Sequence, residues 1–162
     1  MKYFFFLASL GVVLALSFFV SRDVVAPTQI PPQTHEDREG MKKNTLMIHT
    51  TTVELELART KDERARGLMD RTTLGENSGM LFLFDTKGVQ SFWNERTLLP
   101  LDVIWIDGNV VVGISSLPPI TDGLKIINST VPVDRVLEVN RGWSVLHNIN
   151  VGDTVTYSLD QN

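Results

Sequence analysis

The stretch SFWNERTLLPLDVIWIDGNVVVGI, residues 91–114, contains the clearest strand and turn signals in the chain. Two runs rich in β-branched and aromatic residues, 103–106 and 110–114, flank the tripeptide DGN. Glycine in that tripeptide supplies the positive φ that a tight hairpin turn needs. The stretch therefore predicts a β-hairpin, and it favours a fold built from short antiparallel strands.

The residues before this hairpin predict a strand followed by a bend. Strand alternation places Phe92 towards the core, and it places Ser91 and Trp93 on the opposite, wetter face. Pro100 cannot donate a hydrogen bond to a neighbouring strand. We therefore expect residues 94–99 to bend at the rim of a sheet.

Short strands and turns account for most of the remaining sequence after residue 44. Apolar and polar residues alternate through residues 53–57, which indicates a strand with one wet face. Further strands are predicted at residues 81–84, 89–93, 133–139 and 151–159, with DTKG at 85–88 as the turn of a second hairpin. We therefore predict a mainly β fold: a compact β-sandwich or barrel-like domain with one or two short helices, preceded by an N-terminal hydrophobic helix.

Two segments of the domain carry helix signals. The sequence TKDE, residues 60–63, predicts a capping box in which Thr60 and Glu63 satisfy each other's backbone amides. A short helix through residues 68–69 should follow. The sequence RGW at residues 141–143 is expected to open a second short helix or turn.

The first 44 residues differ in composition from the rest. Residues 3–20 contain no charged side chain and follow a lysine, which is typical of a membrane-spanning helix whose amino end is cytoplasmic. A cleaved signal peptide is the alternative interpretation. We divide the chain into an anchor or signal peptide at residues 1–21, a disordered linker rich in proline and charge at 22–44, and one β domain at 45–162.

Composition argues against several classes of function. Residues 45–162 carry 10 basic and 15 acidic side chains, a net charge of −5, so nucleic acid is a poor partner. The chain has no cysteine, which excludes disulfides, thiol catalysis and cysteine-based zinc sites. Its three histidines have no metal-ligand spacing, and no phosphate-loop or dinucleotide motif is present. We therefore expect no cofactor and no metal.

Asp102, just after the proline bend, is the first candidate functional residue. A carboxylate between apolar neighbours needs hydrogen-bond donors, because burying an unpaired charge costs several kcal/mol. Arg96, Arg64, Arg66 or backbone amides of the bend are the expected donors. Two interpretations stay open: Asp102 locks the bend by hydrogen bonding, or Asp102, Trp93 and an arginine form the wall of a ligand pocket.

The segment ERARGLM, residues 63–69, provides a second candidate site. Arg64 and Arg66 follow an acidic helix start and have the planar guanidinium that suits carboxylate or phosphate. The alternative is a solvated helix face with pairs such as Glu63 and Arg66.

Four motifs give the chain a resemblance to a known family. They are ERARGLM at 63–69, GMLFLF at 79–84, FWNERTLLPLD at 92–102 and VLEV at 136–139. Together they resemble DUF192, a family of unknown function, over about residues 53–157. The resemblance implies a compact β-rich fold, commonly behind a signal peptide or anchor, and no established activity. One departure is NERT at 94–97, where the family usually reads MKNT, so that Glu95 replaces a lysine beside an added Arg96.

Two functions from different classes are compatible with this sequence. The first is a binding or interaction module, tethered to the cell membrane by a single N-terminal helix, with its domain on the extracytoplasmic (periplasmic) side. Its partners would be the membrane and an unknown small ligand or envelope protein; after signal cleavage it would be periplasmic or secreted. The second is a hydrolase-like enzyme that uses Asp102 and Glu95 with an arginine partner. No catalytic residue is assigned, and whether the protein is an enzyme stays open.

Overall fold

The computed structural model describes residues 43–160, in which 48% of the residues lie in strands and only two short α-helices occur. The prediction of a mainly β domain with one or two short helices is therefore confirmed. The expected N-terminal helix and most of the expected linker lie outside the described residues. Within residues 43–160, no helix has the length and apolar character needed to cross a membrane.

The elements follow one another as a series of strands interrupted by the two helices. In chain order they are β1 (Thr45–Ile48), β2 (Thr51–Ala58), α1 (Lys61–Arg66), β3 (Ser78–Gly88), β4 (Ser91–Trp93), β5 (Leu101–Asp107), β6 (Val110–Leu117), β7 (Ile126–Asn128), β8 (Val133–Asn140), α2 (Trp143–Leu146) and β9 (Val155–Ser158). A 3-10 turn at Ile120–Asp122 precedes β7.

Seven of the strands form one curled sheet, a half-barrel, in the order β6-β5-β8-β3-β2-β1-β9. All neighbours in this sheet are antiparallel except β2 and β3. A single bridge between Val110 and Thr154 joins the two edges of the sheet at one end. The two remaining strands, β4 and β7, pair as a separate small sheet.

One of the two predicted hairpins is confirmed and the other is wrong. β5 and β6 pair around a turn in which Gly108 has a φ of 60°. The DTKG sequence, by contrast, does not reverse the chain: β3 continues through it to Gly88, which pairs with Val133 of β8 after a register shift. The turn-like composition coincides with this irregularity: residues 85–87 have no register partner on β8, and pairing resumes at Gly88.

The central strands β3, β5 and β8 are buried on both faces of the curled sheet, and each face carries its own apolar cluster. The inner core includes Leu81, Ile104, Leu137 and Trp143, with contributions from both edges of the sheet. The outer core contains the alternate residues of the same strands, together with Leu68 after α1 and Phe92 of β4. The chain after α1 and the small sheet therefore cover the outer face, and the candidate site forms beneath them.

Aromatic contacts fix the small sheet to the outer core. The Phe92 ring lies edge-on to Phe82, with 4.8 Å between centroids, and edge-on to Trp105 at 5.6 Å. Such pairs add about 0.5–1.5 kcal/mol to the free energy gained by burial alone. The predicted alternation is confirmed: Phe92 is buried, whereas Ser91 and Trp93 are exposed.

Candidate functional site

The capping box predicted at Thr60 is present and sets the start of α1. The Glu63 amide donates to the Thr60 hydroxyl over 3.2 Å, and the Glu63 carboxylate accepts from the Thr60 amide over 2.8 Å. Gly67, with a φ of 46°, ends the helix. A β-carbon at Gly67 would lie only 3.3 Å from the Phe82 ring. Glycine therefore allows this short helix to lie close against the outer core.

Arg64 and Arg66, both on α1, are held in different ways. The Arg64 guanidinium donates to the carbonyl oxygens of Arg59 and Leu83 and lies over the Phe84 ring, 5.0 Å from its centroid. Arg66 is exposed, and its side chain forms no hydrogen bond or ion pair with any residue in the described range 43–160. Arg64 is therefore a fixed part of the structure, whereas Arg66 has its donors available to a ligand.

Glu138, in the middle of β8, is the most unusual polar residue of the outer face. It is 4% exposed, and its nearest cross-strand neighbours are Met80 of β3 and Val103 of β5. None of the hydrogen bonds or ion pairs within residues 43–160 involves its carboxyl group. Burial in this apolar setting raises the pKa of Glu138 from 4.5 to about 8. At neutral pH the group is mostly an uncharged carboxylic acid.

These side chains border one pocket of about 230 Å³ between α1 and the outer face. The lining combines three basic side chains, one buried carboxyl group, a set of apolar and aromatic walls and a few small or hydroxylic residues: Lys61, Arg64, Ala65, Arg66, Gly67, Leu68, Met69, Phe82, Phe84, Ser91, Phe92, Trp93, Thr97 and Glu138. The pocket is therefore cationic on the helix side and uncharged but polar at Glu138.

The register of the sheet sets the separation of these two polar ends. Arg64 is fixed at the carbonyl of Leu83, whereas Glu138 pairs with Met80, three residues earlier on β3. At about 3.3 Å per residue, the two positions lie roughly 10 Å apart along the strand. Consistent with this separation, desolvation is the only cause of the Glu138 pKa shift. A ligand would have to span this distance to meet both groups.

The structure brings three of the five residues predicted for a site into this pocket: Arg64, Arg66 and Trp93. Trp93 is 43% exposed and forms part of the wall. Arg96 lies in a neighbouring groove that also contains Arg66 and Asp70, and it forms an ion pair with Asp70. The φ of Arg96 is 52°, a left-handed conformation that asparagine, the usual family residue, adopts more readily.

Asp102, the fifth predicted residue, lies away from the pocket, on the inner face. One carboxylate oxygen accepts hydrogen bonds from the Gly142 amide at 3.1 Å, the Ser144 amide at 3.0 Å and the Ser144 hydroxyl at 2.5 Å. The donors are therefore not the arginines or bend amides that we expected. Gly142, the N-cap residue of α2, has no side chain, so Asp102 supplies the side-chain cap of this helix.

The bend at residues 94–99 is organised by the buried residue Asn94. Its side chain forms hydrogen bonds with the backbone of Pro118, Gly123 and Lys125.

Sequence reasoning missed Glu138, although a signal for it was present. A strand buried on both faces normally consists of continuous apolar residues, and charged residues are rarely buried without a partner. Glu138 interrupts the run of Val136, Leu137 and Val139. An acidic residue at such a position predicts either a buried partner or a site.

Residues 42–157 match the model of the DUF192 family, which is described as "Uncharacterized ACR". This chain belongs to the DUF192 family. The four motifs behind the resemblance now have positions in this DUF192 domain, and all four contribute residues to the pocket. In the third motif the pocket residues are Phe92, Trp93 and Thr97, and in the fourth the pocket residue is Glu138.

Two solved structures share this DUF192 fold. A protein of unknown function from Novosphingobium aromaticivorans DSM 12444 is 32% identical, with a TM-score of 0.65, over 69% of this chain and 83% of that one. A protein from Sinorhizobium meliloti 1021, described as a "putative transcription regulator", is 29% identical, with a TM-score of 0.67, over 72% of this chain and 94% of that one. No curated protein matches the chain.

Proposed function

We propose that residues 45–162 form a small-ligand-binding module, and that the pocket between α1 and the outer face is its binding site. The observation that carries the proposal is the Glu138 carboxyl group, which is buried at the pocket without a partner among the described residues. Burying a polar group without a hydrogen bond costs about 1–3 kcal/mol in proteins. A ligand that supplies the missing hydrogen bond recovers this free energy on binding.

The basic side chains of α1 indicate the charge of the ligand. Lys61, Arg64 and Arg66 all line the pocket, and the Arg66 side chain forms no hydrogen bond or ion pair within residues 43–160. Guanidinium groups bind carboxylates and phosphates through paired hydrogen bonds. The rings of Phe82 and Trp93 also line the pocket and offer apolar contact. We therefore propose an amphipathic ligand with an anionic group.

The pocket volume limits the part of the ligand that is enclosed. A volume of about 230 Å³ corresponds to roughly eight water molecules at about 30 Å³ each. Sites for drug-sized ligands occupy about 300–1,000 Å³. The ligand proposed here is therefore smaller, with on the order of ten non-hydrogen atoms inside the pocket.

Isothermal titration of hexanoate into the full-length chain in lipid nanodiscs tests the proposal, with empty nanodiscs as the blank. Hexanoate should bind, and Arg66→Met should weaken binding about tenfold, because one charge-assisted pair is worth about 1.5 kcal/mol or more. Arg141→Met removes an exposed arginine that bonds Ser116 away from the pocket, so it should leave affinity unchanged. Absence of binding, or equal effects of the two substitutions, would contradict the proposal.

An acid–base enzyme is the second candidate function. A carboxyl group with a raised pKa beside arginines in a pocket is an arrangement found in catalytic sites. This observation favours Glu138 as the acid, rather than the pair of Asp102 and Glu95. The matching experiment is hydrolysis of 4-nitrophenyl hexanoate: activity that is lost in Glu138→Gln and kept in Glu95→Gln would favour an enzyme over a binding module.

We further propose that residues 1–21 anchor the protein in the cell membrane and that the domain lies on the extracytoplasmic side, with a periplasmic or secreted form after cleavage as the alternative. The support is the uncharged run at 3–20 and the lysine before it. Protease added to spheroplasts should digest the domain and spare an N-terminal tag. Complete protection of the domain would contradict this topology. A role in transcription has no support from the net charge of −5 on residues 45–162.

A further inference from the structure

We infer that the end of the pocket at Glu138 recognises an uncharged amide group, so that the ligand class is a small carboxylate carrying a secondary amide across a short apolar spacer. The inference rests on the binding role proposed above and specifies the chemistry of the ligand at each end. It makes Glu138 a hydrogen-bonding residue in its acid form, with no ionic role.

The surroundings of Glu138 favour the uncharged acid. Its cross-strand neighbours, Met80 and Val103, are apolar and buried, and Phe82 and Phe92 line the same pocket. Water can reach only a small fraction of the residue, since it is 4% exposed. A carboxylate in such a place loses its hydration without gaining a partner, which disfavours the charged form.

The charged groups that face this region lie on two elements. Lys61, Arg64 and Arg66 come from α1, and none of them pairs with Glu138. On β2, Glu56 is the cross-strand neighbour of Met80 and already forms an ion pair with Arg71. Glu138 therefore has no charged partner among these groups.

An uncharged carboxyl group offers one donor and one acceptor side by side. A secondary amide is trans, with its carbonyl and N–H on opposite sides. The O–H of Glu138 can therefore donate to the amide carbonyl, and no charge has to be buried. An ammonium group would instead require ionised Glu138, and both ions would then have to leave water. The apolar surroundings of Glu138 therefore favour the amide over the amine.

Three simple probes share a carboxylate at the end of a six-carbon chain and differ only in the group on the sixth carbon. They are 6-acetamidohexanoate, with an amide; 6-aminohexanoate, with an ammonium; and hexanoate, with neither. The carbon chain of each probe covers most of the roughly 10 Å that separates, along β3, the position that holds Arg64 from the position that pairs with Glu138. Isothermal titration into the full-length chain in lipid nanodiscs between pH 6.5 and 9.5 measures all three.

At pH 7, we expect 6-acetamidohexanoate to bind at least tenfold more tightly than hexanoate or 6-aminohexanoate. Its affinity should fall by approximately tenfold per pH unit once Glu138 ionises, in the range above pH 8. Glu138→Gln offers a donor and an acceptor at every pH, so the fall should disappear and this variant should bind the amide probe more tightly than wild type at pH 9.5. Glu138→Met offers neither and should lose the preference for the amide over hexanoate.

The outcomes separate the inference from the proposed function. If 6-aminohexanoate binds best and its affinity rises with pH, Glu138 is an ionic partner and the amide inference is wrong, whereas the pocket remains a binding site. Equal affinities for the three probes, or an unchanged affinity of the amide probe between pH 7 and 9.5, would also overturn the inference alone. If none of the probes binds, the proposed function fails. The pH series on wild type decides the matter even if a Glu138 variant does not fold.

Discussion

Asp102 and Glu138 are buried carboxyl groups on adjacent strands, and their surroundings are opposite. They are 7% and 4% exposed. In the β5–β8 ladder, Asp102 pairs with Val139 and Glu138 pairs with Val103, so the two groups occupy neighbouring rungs on opposite faces of one sheet. Asp102 accepts three hydrogen bonds from α2, whereas Glu138 accepts none within the described residues.

The difference between the two groups separates a structural carboxylate from a candidate binding carboxyl group. Burial alone does not distinguish them, because both are almost fully enclosed. What distinguishes them is where their hydrogen-bond partners come from. The chain itself supplies the partners of Asp102, and this fixes α2 on the inner face. The described part of the chain supplies no partner for Glu138, which leaves this carboxyl group open to water or to a ligand in the pocket.

The largest expected effect is the change in the free energy of unfolding with pH that ionisation of Glu138 causes. Below pH 4.5 the group is protonated in both the folded and the unfolded chain. As pH rises towards 8, the unfolded chain ionises first, so the folded state loses stability, and above pH 8 the loss is complete. Because one pKa unit is worth about 1.4 kcal/mol, raising the Glu138 pKa from 4.5 to about 8 makes the total loss about 5 kcal/mol.

Glu138→Gln does not titrate, so it should lack this loss. The free energy of unfolding of this variant, minus that of wild type, should rise between pH 5 and pH 8 and then level off. Urea melts followed by tryptophan fluorescence at several pH values give the difference, and the other carboxylates cancel because both proteins share them. A constant difference across this range would mean that Glu138 has an ordinary pKa.

Asp102→Ala should give the next largest effect, with the opposite sign. Removal of the carboxylate leaves the Gly142 and Ser144 amides without their acceptor, which should lower the free energy of unfolding by about 1–3 kcal/mol. Asp102→Asn keeps one acceptor oxygen and should cost less. Urea melts at pH 7 measure both. If Asp102→Ala were as stable as wild type, the bonds to α2 would not be a structural lock, and the comparison with Glu138 would fail.

Thr60→Ala tests the helix on the pocket side. α1 is capped by its own neighbouring residue, whereas α2 is capped by Asp102 from another strand. Loss of the Thr60 hydroxyl should cost about 1 kcal/mol and should weaken hexanoate binding, because the helix carries Arg64 and Arg66. Thr72→Ala, an exposed threonine in a loop, is the control. Equal stability of the two variants would show that the capping box does not hold α1.

The smallest effect is expected for Glu95→Ala. Glu95 is exposed, and its side chain forms no hydrogen bond or ion pair within residues 43–160. Exposed substitutions of this kind usually change the free energy of unfolding by less than about 0.5 kcal/mol. A loss comparable to that of Asp102→Ala in the same urea melts would show that an exposed acid on the bend matters as much as the buried one.

Local sequence signals predicted the elements that depend on local interactions. The capping box at Thr60, the β5–β6 turn at Gly108 and the alternation of Phe92 and Trp93 are all present. Each depends on residues within a few positions of one another, so the sequence contained the necessary information. The DTKG turn was wrong because β3 stays extended through residues 85–88, and its last residue, Gly88, pairs with β8, a strand far away in sequence.

The candidate site was predicted only in part for the same reason. Arg64, Arg66 and Trp93 were chosen for their chemistry, and they do line one pocket. Asp102 was chosen for its apolar neighbours, which indicated that it is buried but not which face it occupies or which donors it meets. Glu138 has the same local signal as Asp102, an acid within an apolar strand, and was overlooked.

The sequence by itself determined the family, the mainly β class, the local caps and turns, and the presence of acids within buried strands. These features follow from residue type and from spacing along a few positions. Only the tertiary structure decided that β4 pairs with β7, that Asp102 accepts hydrogen bonds at the start of α2, and that Glu138 lines a pocket. Those outcomes depend on which residues far apart in sequence are brought together. Two carboxyl groups with similar neighbours in sequence therefore have different partners, because the two faces of one sheet are covered by different parts of the chain.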